Sequence, residues 1–288
     1  MQLLTFLISY PLIRFISLLP FRIVYFISDF LSYLLHRIFK YRLKIVRNNL
    51  RLVFPKKSIN EIYRIERDFY KHFADITIES IKAFGMSESQ MRSRYNYENI
   101  ELIESIQEKK KNIILICGHY SNFEWLLSIG YNVKGNGYGI FTPMTNKYFN
   151  RLFVKIRQKH KAYLVSRYKV KDFMSNLNPN KYYLFGFAAD QSPREVGKSY
   201  INYFLGYKVP IFTGAERFSK DYDLSVVFAD ITRTKRGHYK TKFIEIKDKK
   251  DTNYSITKQF LELLENQIYR DPSQYFWTHN RFKHLRTN

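Results

Sequence analysis

Asn112-Ile113-Ile114-Leu115-Ile116-Cys117-Gly118-His119-Tyr120-Ser121-Asn122-Phe123-Glu124-Trp125 is the stretch whose reading decides the fold. The run from Asn112 to Cys117 is short, continuously apolar and rich in β-branched residues, which is the pattern of a strand buried on both faces. Gly118 ends it and His119 follows. Ser121 and Asn122 are good helix-capping residues, so a helix is expected near 121–131. A strand that runs through a polar turn into a helix is half of a βαβ unit. In parallel sheets, sites gather at the carboxyl ends of the strands, which is where His119 falls.

Outward from this stretch the same alternation continues. Gly139–Thr142, Ala162–Val165, Tyr182–Ala189, Leu224–Ala229 and Tyr239–Ile246 are further strand candidates, and helices fit near 146–160, near 169–176 and over Tyr254–Tyr269, before Asp271-Pro272. Upstream, Ser58 and Glu61 form an S-x-x-E capping box after Pro55. Ile62, Ile65, Phe69, Phe73, Ile76 and Ile81 then recur at helical intervals as far as Phe84. The predicted fold class is α/β: a central, mostly parallel sheet flanked by helices, preceded by N-terminal membrane-associated helices. Two regions are expected: a membrane-anchoring helical segment with a basic flank over 1–57, and a catalytic α/β domain over 58–288. There is no internal repeat, low-complexity tract or long linker.

Residues 1–39 are apolar but interrupted by Pro11, Arg14, Pro20, Arg22 and Asp29. A spanning helix needs roughly 20 predominantly apolar residues, and neither Leu3–Leu19 nor Ile23–Leu35 supplies them. Two kinked helices lying in a membrane interface are the expectation, with a buried helical hairpin as the alternative. No small-residue cleavage site follows a basic start, so a cleaved leader is not expected. Arg37, Lys40, Arg42, Lys44, Arg47 and Arg51 follow directly. Apolar segments flanked by such cations insert into bilayers carrying anionic lipid, and the positive flank places the domain behind it on the cytoplasmic side.

Lys and Arg number 48 against 25 Asp and Glu, a net charge of +23. Such a surface attracts anionic lipid, nucleic acid or an acidic protein. The single cysteine, Cys117, excludes an internal disulfide and a cysteine-based metal cluster. With no H-E-x-x-H motif either, no metal site is expected.

The chemistry centres on His119 and Glu124. A neutral imidazole can take a proton from a hydroxyl that attacks an acyl carbon, while a carboxylate on its other nitrogen fixes the tautomer and stabilises the imidazolium. Five residues apart on an unbroken helix are ~140° apart around its axis, so the loop must fold the His119 ring back for the two to meet. Cys117 is expected to point into the sheet, which argues against a thiol acyl-enzyme.

The sequence resembles the lipid A biosynthesis acyltransferase family, the late or secondary acyltransferases of Gram-negative bacteria. Arg42, Val46, Asn48-Asn49-Leu50 and Phe54-Pro55 look like the region after that family's membrane anchor, and Gly118 to Glu124 is similar to its H-x4-D/E block. Asn146 to Arg157 resembles its second block, Ala189-Asp190-Gln191 its A-D-Q block, and Asn202 to Gly206 with Thr213-Gly214 its phenylalanine–glycine segment. Pro272 to Lys283 is close to its C-terminal signature.

The resemblance implies a glycerolipid-acyltransferase-like fold in the bacterial inner membrane. It implies an acyl carrier protein thioester as donor, with acyl-coenzyme A as the other option, no bound cofactor, and a hydroxyl of a lipid A precursor as acceptor. His119 becomes the general base and Glu124 its partner. Arg157 binds phosphate or stabilises the oxyanion, and Asp190 organises the site through Arg157. Asn122 and Gln191 join the substrate-binding set. Arg194, His279, Arg281 and Lys283 are candidate lipid-phosphate contacts, although Trp277, His279 and Arg281 can equally serve to pack the C-terminus against the sheet. Lys109-Lys110-Lys111 and Arg157, Lys159 and Lys161 are candidate docking clusters for the acidic carrier protein.

Two departures bear on the acceptor: Gln191-Ser192-Pro193-Arg194 lacks the glycine that often follows the D-Q pair, and Asn280 replaces a common basic residue. A lysophospholipid or aminolipid acceptor is the alternative. A non-enzymatic basic protein binding a membrane surface or nucleic acid is the alternative from another class, but no recognised nucleic-acid module is present.

Overall fold

The computed structural model describes residues 1–193, 197, 199–249 and 252–285. Its first two helices, α1 (Gln2–Leu18) and α2 (Phe21–Tyr33), part at Pro20, and a π-helical turn follows over Leu34–Ile38. No helix among the described residues is long and apolar enough to cross a membrane. The buried-hairpin alternative is set aside, because Leu4, Leu7, Ile8, Leu12 and Phe15 of α1 and Phe26 and Phe30 of α2 are exposed. α3 (Leu43–Val53) leads to the long α4 (Ile59–Lys82), whose Ser58/Glu61 capping box forms as the sequence predicts. Polar contacts tie the N-terminal helices to α4. Ser28 Oγ donates to Asp75 Oδ1 (2.6 Å), Tyr25 Oη to Glu79 Oε1 (2.9 Å), and Lys82 Nζ to the Ser17 carbonyl (2.9 Å). Gly85 lets the chains touch: a Cβ there would lie 1.9 Å from the Ser17 oxygen.

The α/β domain continues as α5 (Glu88–Arg92), β1 (Tyr95–Glu98), α6 (Glu101–Glu108), β2 (Ile113–Cys117), a 3-10 turn over Trp125–Tyr131, β3 (Asn136–Phe141), α7 (Lys147–Lys159), β4 (Ala162–Ser166), α8 (Val170–Ser175) and β5 (Tyr183–Ala188). Then come β6 (Tyr200–Phe204), β7 (Tyr207–Ile211), α9 (Gly214–Asp221), β8 (Ser225–Lys235), β9 (His238–Ile246) and α10 (Ser255–Arg270), with a 3-10 turn over Pro272–Gln274. Seven strands form one sheet in the order β1-β9-β8-β2-β5-β3-β4. Strands β8, β2, β5, β3 and β4 are mutually parallel, whereas β9 runs antiparallel to β8 and β1 follows β9. β6 and β7 make a separate antiparallel hairpin.

β2 lies at the centre, between β8 and β5, with all five residues buried. Successive strand side chains point to opposite faces. Accordingly Ile114 and Ile116 join one core with Phe260 and Leu264 of α10, while Ile113, Leu115 and Cys117 join the other with Ile103 and Ile106 of α6. The α/β class and mostly parallel sheet are as expected. Within it β9 returns antiparallel to β8 through a tight turn containing Gly237 (φ +70°), a direction the strand candidates alone leave open. β1 and the β6–β7 hairpin are additional, each being too short or too polar to stand out from its surroundings.

Candidate active site

At the end of β2 the chain does not enter an α-helix. Ser121 takes a left-handed conformation (φ +52°), and regular structure resumes only at Trp125. Two contacts explain the departure from the predicted helix near 121–131. An extended strap after α10 pairs with the turn: Phe276 N donates to the His119 carbonyl (3.1 Å), Ser121 N donates to the Gln274 carbonyl (2.9 Å), and Tyr120 bridges Tyr275. Asn122 Oδ1 does cap the Trp125 amide (2.9 Å), but its Nδ2 donates to Glu79 Oε2 (2.7 Å), which draws the turn toward α4. Gly118 lets α10 approach, since a Cβ there would meet Leu264 Cδ1 at 2.5 Å.

His119 therefore projects from the carboxyl end of β2 and Asp190 from just beyond β5, its parallel neighbour. The Asp190 Oδ1 atom accepts both the His119 backbone amide (2.9 Å) and the ring Nδ1–H (2.7 Å). Because a carboxylate only accepts, this bond assigns the ring proton to Nδ1 and leaves Nε2 as the basic nitrogen. The imidazole keeps 22% of its surface exposed, so Nε2 is open to a substrate, whereas Asp190 is buried. Burial pushes the His119 pKa down, but the charge and hydrogen bond of Asp190, with the nearby charge of Glu124, outweigh it and raise the pKa above the ordinary 6.5. Burial alone would raise the Asp190 carboxyl; His119 and the backbone amides override it and hold the pKa down at about 2. Asp190 thus stays ionised throughout the working range of an imidazole.

This corrects the expected pairing. Glu124 was expected on the imidazole, yet Arg157 grips it instead, with Nε to Oε2 at 3.1 Å and Nη2 to Oε1 and Oε2 at 2.8 Å each. Asp190, expected to act through Arg157, contacts His119 directly. The exchange has a topological cause. His119 and Asp190 end adjacent strands, while Glu124 has moved around the turn to face α7, which carries Arg157. The Glu124–Arg157 pair lines a mostly apolar cleft with Trp125, Leu127, Phe153 and Ile156, whose open volume is about 20 Å³. That is room for about one water, so a long acyl chain can enter only if these side chains part.

The remaining sequence-predicted residues divide. Asn122 is fully buried and uses both ends of its amide internally, so it positions the turn and is not open to substrate. Gln191 is partly exposed beside Asp190. Arg281 is buried. Its Nη1 donates to Ser192 Oγ (3.0 Å) and the Pro210 carbonyl (2.9 Å), and its guanidinium lies over the Phe204 ring. His279 Nε2 accepts the Ser192 amide (3.1 Å), and burial presses its pKa down to about 4. These two residues hold Ser192, two positions after Asp190, which supports the packing alternative over phosphate contact. Trp277 is buried, with Nε1 bonded to the Pro272 carbonyl (2.6 Å). Lys283 is exposed, and Arg194 lies outside the described residues. Of the Arg157, Lys159 and Lys161 cluster, Lys159 and Lys161 are exposed, although Lys159 also donates to the Phe84 carbonyl (2.8 Å), and Arg157 is paired to Glu124. Cys117 is buried, and its thiol is pushed far up by that burial and then by Asp190 and Glu124, which leaves no thiolate nucleophile. Among the described residues no group of His, Cys, Asp and Glu is placed to hold a metal ion.

Sequence reasoning missed two supports. Glu79 is fully buried under the turn and accepts Tyr25, Tyr239 (2.8 Å) and Asn122; burial and Asp75 push its pKa up to about 7. Its signal was present: an acid three residues after Ile76 on the apolar stripe of α4. Asn49 of α3 donates to the carbonyls of Trp277 and His279 (2.9 Å each), and Arg42 to that of Thr278 (3.1 Å), clamping the strap that holds His119.

A model of the bacterial lipid A biosynthesis acyltransferase family matches residues 2–284. The chain is 20% identical over 272 residues to the lipid A biosynthesis palmitoleoyltransferase of Escherichia coli K12, covering 92% of this chain and 86% of that protein. It is 22% identical over 268 residues to the lipid A biosynthesis lauroyltransferase of the same strain, with 92% and 87% covered. It is also 22% identical over 250 residues to a lipid A biosynthesis acyltransferase of Haemophilus influenzae, with 84% and 78% covered. With the match running from α1 through the histidine turn to the strap that clamps it, the chain belongs to the bacterial lipid A biosynthesis acyltransferase family.

Proposed function

We propose that this protein is an O-acyltransferase on the cytoplasmic face of the bacterial inner membrane. It moves a fatty acyl chain from an acyl carrier protein thioester to a hydroxyl of a lipid A precursor. The observation that carries the reading is the 2.7 Å bond between His119 Nδ1 and Asp190, which leaves Nε2 basic and reachable. In the proposed reaction Nε2 takes the acceptor's hydroxyl proton as that oxygen bonds to the thioester carbon. The tetrahedral intermediate collapses with cleavage of the C–S bond, and the imidazolium returns the proton to the departing thiolate. Asp190 stabilises the imidazolium. Glu124, held in place by Arg157, adds its charge on the same side, so it assists His119 through space.

The membrane reading is supported by the exposed apolar faces of α1 and α2 beside the exposed Arg37 and Lys40. Apolar helices with cationic flanks lie in the interface plane and do not need to span. Lys109 and Lys110 are exposed and suit the acidic carrier protein; Lys111 pairs with Asp223.

The test is reconstitution of the purified chain in phospholipid vesicles with acyl carrier protein thioesters and a bisphosphorylated, acylated glucosamine disaccharide. Mass spectrometry should show one added acyl ester, absent with His119→Ala. Transfer to a lysophospholipid but not to the disaccharide would overturn the acceptor assignment.

A further inference from the structure

A second, roomier cleft is distinct from the one beside Glu124. It holds about 840 Å³ and opens between α2 with its following turn, α4 and the β8–β9 hairpin. That volume is within the usual range for a ligand site, ~300–1,000 Å³. Cations enter it from three separate elements: Arg37 from the turn, Arg67 and Lys71 from α4, and Arg233, Lys235 and Arg236 from the hairpin.

Some of that charge is answered within the protein. Arg236 bonds to Asp29 and Asp75 (2.7 Å each), and Arg67 to Asp68 (3.0 Å). Arg37, Lys71 and Lys235 are exposed and form no ion pair among the described residues. Arg233 reaches Asp75 only at 3.9 Å. Bringing unpaired like charges together from three elements costs Coulomb energy that a bound anion reverses. Asp68 and Asp271 on the same walls can accept hydroxyls.

Two neighbours say what kind of anion fits. Tyr33 on the rim and Phe26 and Phe30 on the same helix are exposed apolar surface, so the ligand arrives with hydrocarbon beside it. On the inner side the cleft is lined by Gln274, whose carbonyl accepts the Ser121 amide, and two residues on the Phe276 ring lies 6.2 Å from that of His119. A headgroup in the cleft is therefore one strap away from the catalytic base. Resting on the acyl-transfer reading above, we infer that this cleft binds the phosphate-bearing sugar headgroup of the acceptor lipid. It does so through Arg37, Lys71 and Lys235, and not through the C-terminal His279 and Arg281.

The test is binding to the full-length His119→Ala protein in mixed micelles, where no turnover intervenes. The probes are the bisphosphorylated acyl-glucosamine disaccharide, its dephosphorylated form and phosphatidylglycerol. A Lys71→Ala/Lys235→Ala change on that background should weaken the bisphosphorylated probe about tenfold or more, leave the other two unchanged, and be rescued by Lys71→Arg/Lys235→Arg. In the active enzyme the same double alanine change should raise the acceptor KM by a similar factor with kcat and the donor KM unchanged. Wild-type affinity for the bisphosphorylated probe in the alanine variant would overturn the site. So would an equal loss for phosphatidylglycerol, because the cleft would then serve the bulk lipid surface. Failure of the acyl-transfer reading is separate: it shows as a wild-type enzyme that does not turn over the disaccharide, whatever the binding difference.

Discussion

β2 and α1 are built from much the same aliphatic residues, and they are used in opposite ways. In β2 every side chain is buried, sealed between α10 on one face and α6 on the other. In α1 most large apolar side chains face outward, and the contacts to α4 and to Gly85 include backbone and polar groups such as the Ser17 carbonyl. Hydrophobic composition says that a segment leaves water; what packs against it decides whether it leaves for a protein core or for another apolar phase. β2 holds the reaction centre rigid, and α1 and α2 offer a surface.

The comparison is broken most directly at the reaction centre. His119→Ala and Asp190→Asn should each lower kcat by about 10²–10⁴-fold, up to ~5.5 kcal/mol of barrier, with the helices still bound to vesicles. Because His119 is raised by Asp190, the acidic limb of the kcat/KM profile should lie above 6.5. Activity falls as pH drops through that limb and the base becomes protonated. Asp190→Asn should move the limb downward; Glu124→Gln should move it less, since Glu124 acts by charge without a hydrogen bond to the ring. A larger displacement with Glu124→Gln would reverse the assignment of the two carboxylates.

Next in size is the core itself. Leu115→Ala in β2, where Leu115 is 2% exposed, should cost ~2–5 kcal/mol in chemical unfolding. Then comes Glu79, the joint between the two regions, through Tyr25 of α2 and Asn122 of the histidine turn. Its carboxyl is raised from 4.5 to about 7 in the fold, so the folded chain keeps a proton that the unfolded chain has released across that window. The associated stability is complete below 4.5 and is lost as pH rises through about 7, a change on the order of a few kcal/mol. Glu79→Gln should flatten the dependence of Tm on pH in that window; an unchanged slope would remove Glu79 from this role. The smallest effect belongs to the surface. Phe26→Ala should alter unfolding free energy by no more than ~0.5 kcal/mol while measurably weakening vesicle flotation. A large loss of fold stability would mean that α2 is core after all.

Much of this was legible in the chain. The apolar run before Gly118, the Ser58/Glu61 box and the alternation of strand and helix are local patterns, and local sterics and hydrogen bonding realise them wherever the segment sits. His119 at a strand end is legible for the same reason. The broken helix at Ser121 was not, because its capping residues are diverted by Glu79, 43 positions away, and by a strap about 150 residues downstream.

What the sequence determined by itself is most of the strands and helices of the α/β domain, their mostly parallel β/α alternation, and a histidine, Glu124 and Asp190 in its motifs. Only the tertiary structure decided which carboxylate the histidine takes. That choice depends on β2 and β5 lying side by side and on α7 presenting Arg157 to Glu124. Partnership between side chains is set by distance and direction in space, and spacing along the chain constrains these only within a single element.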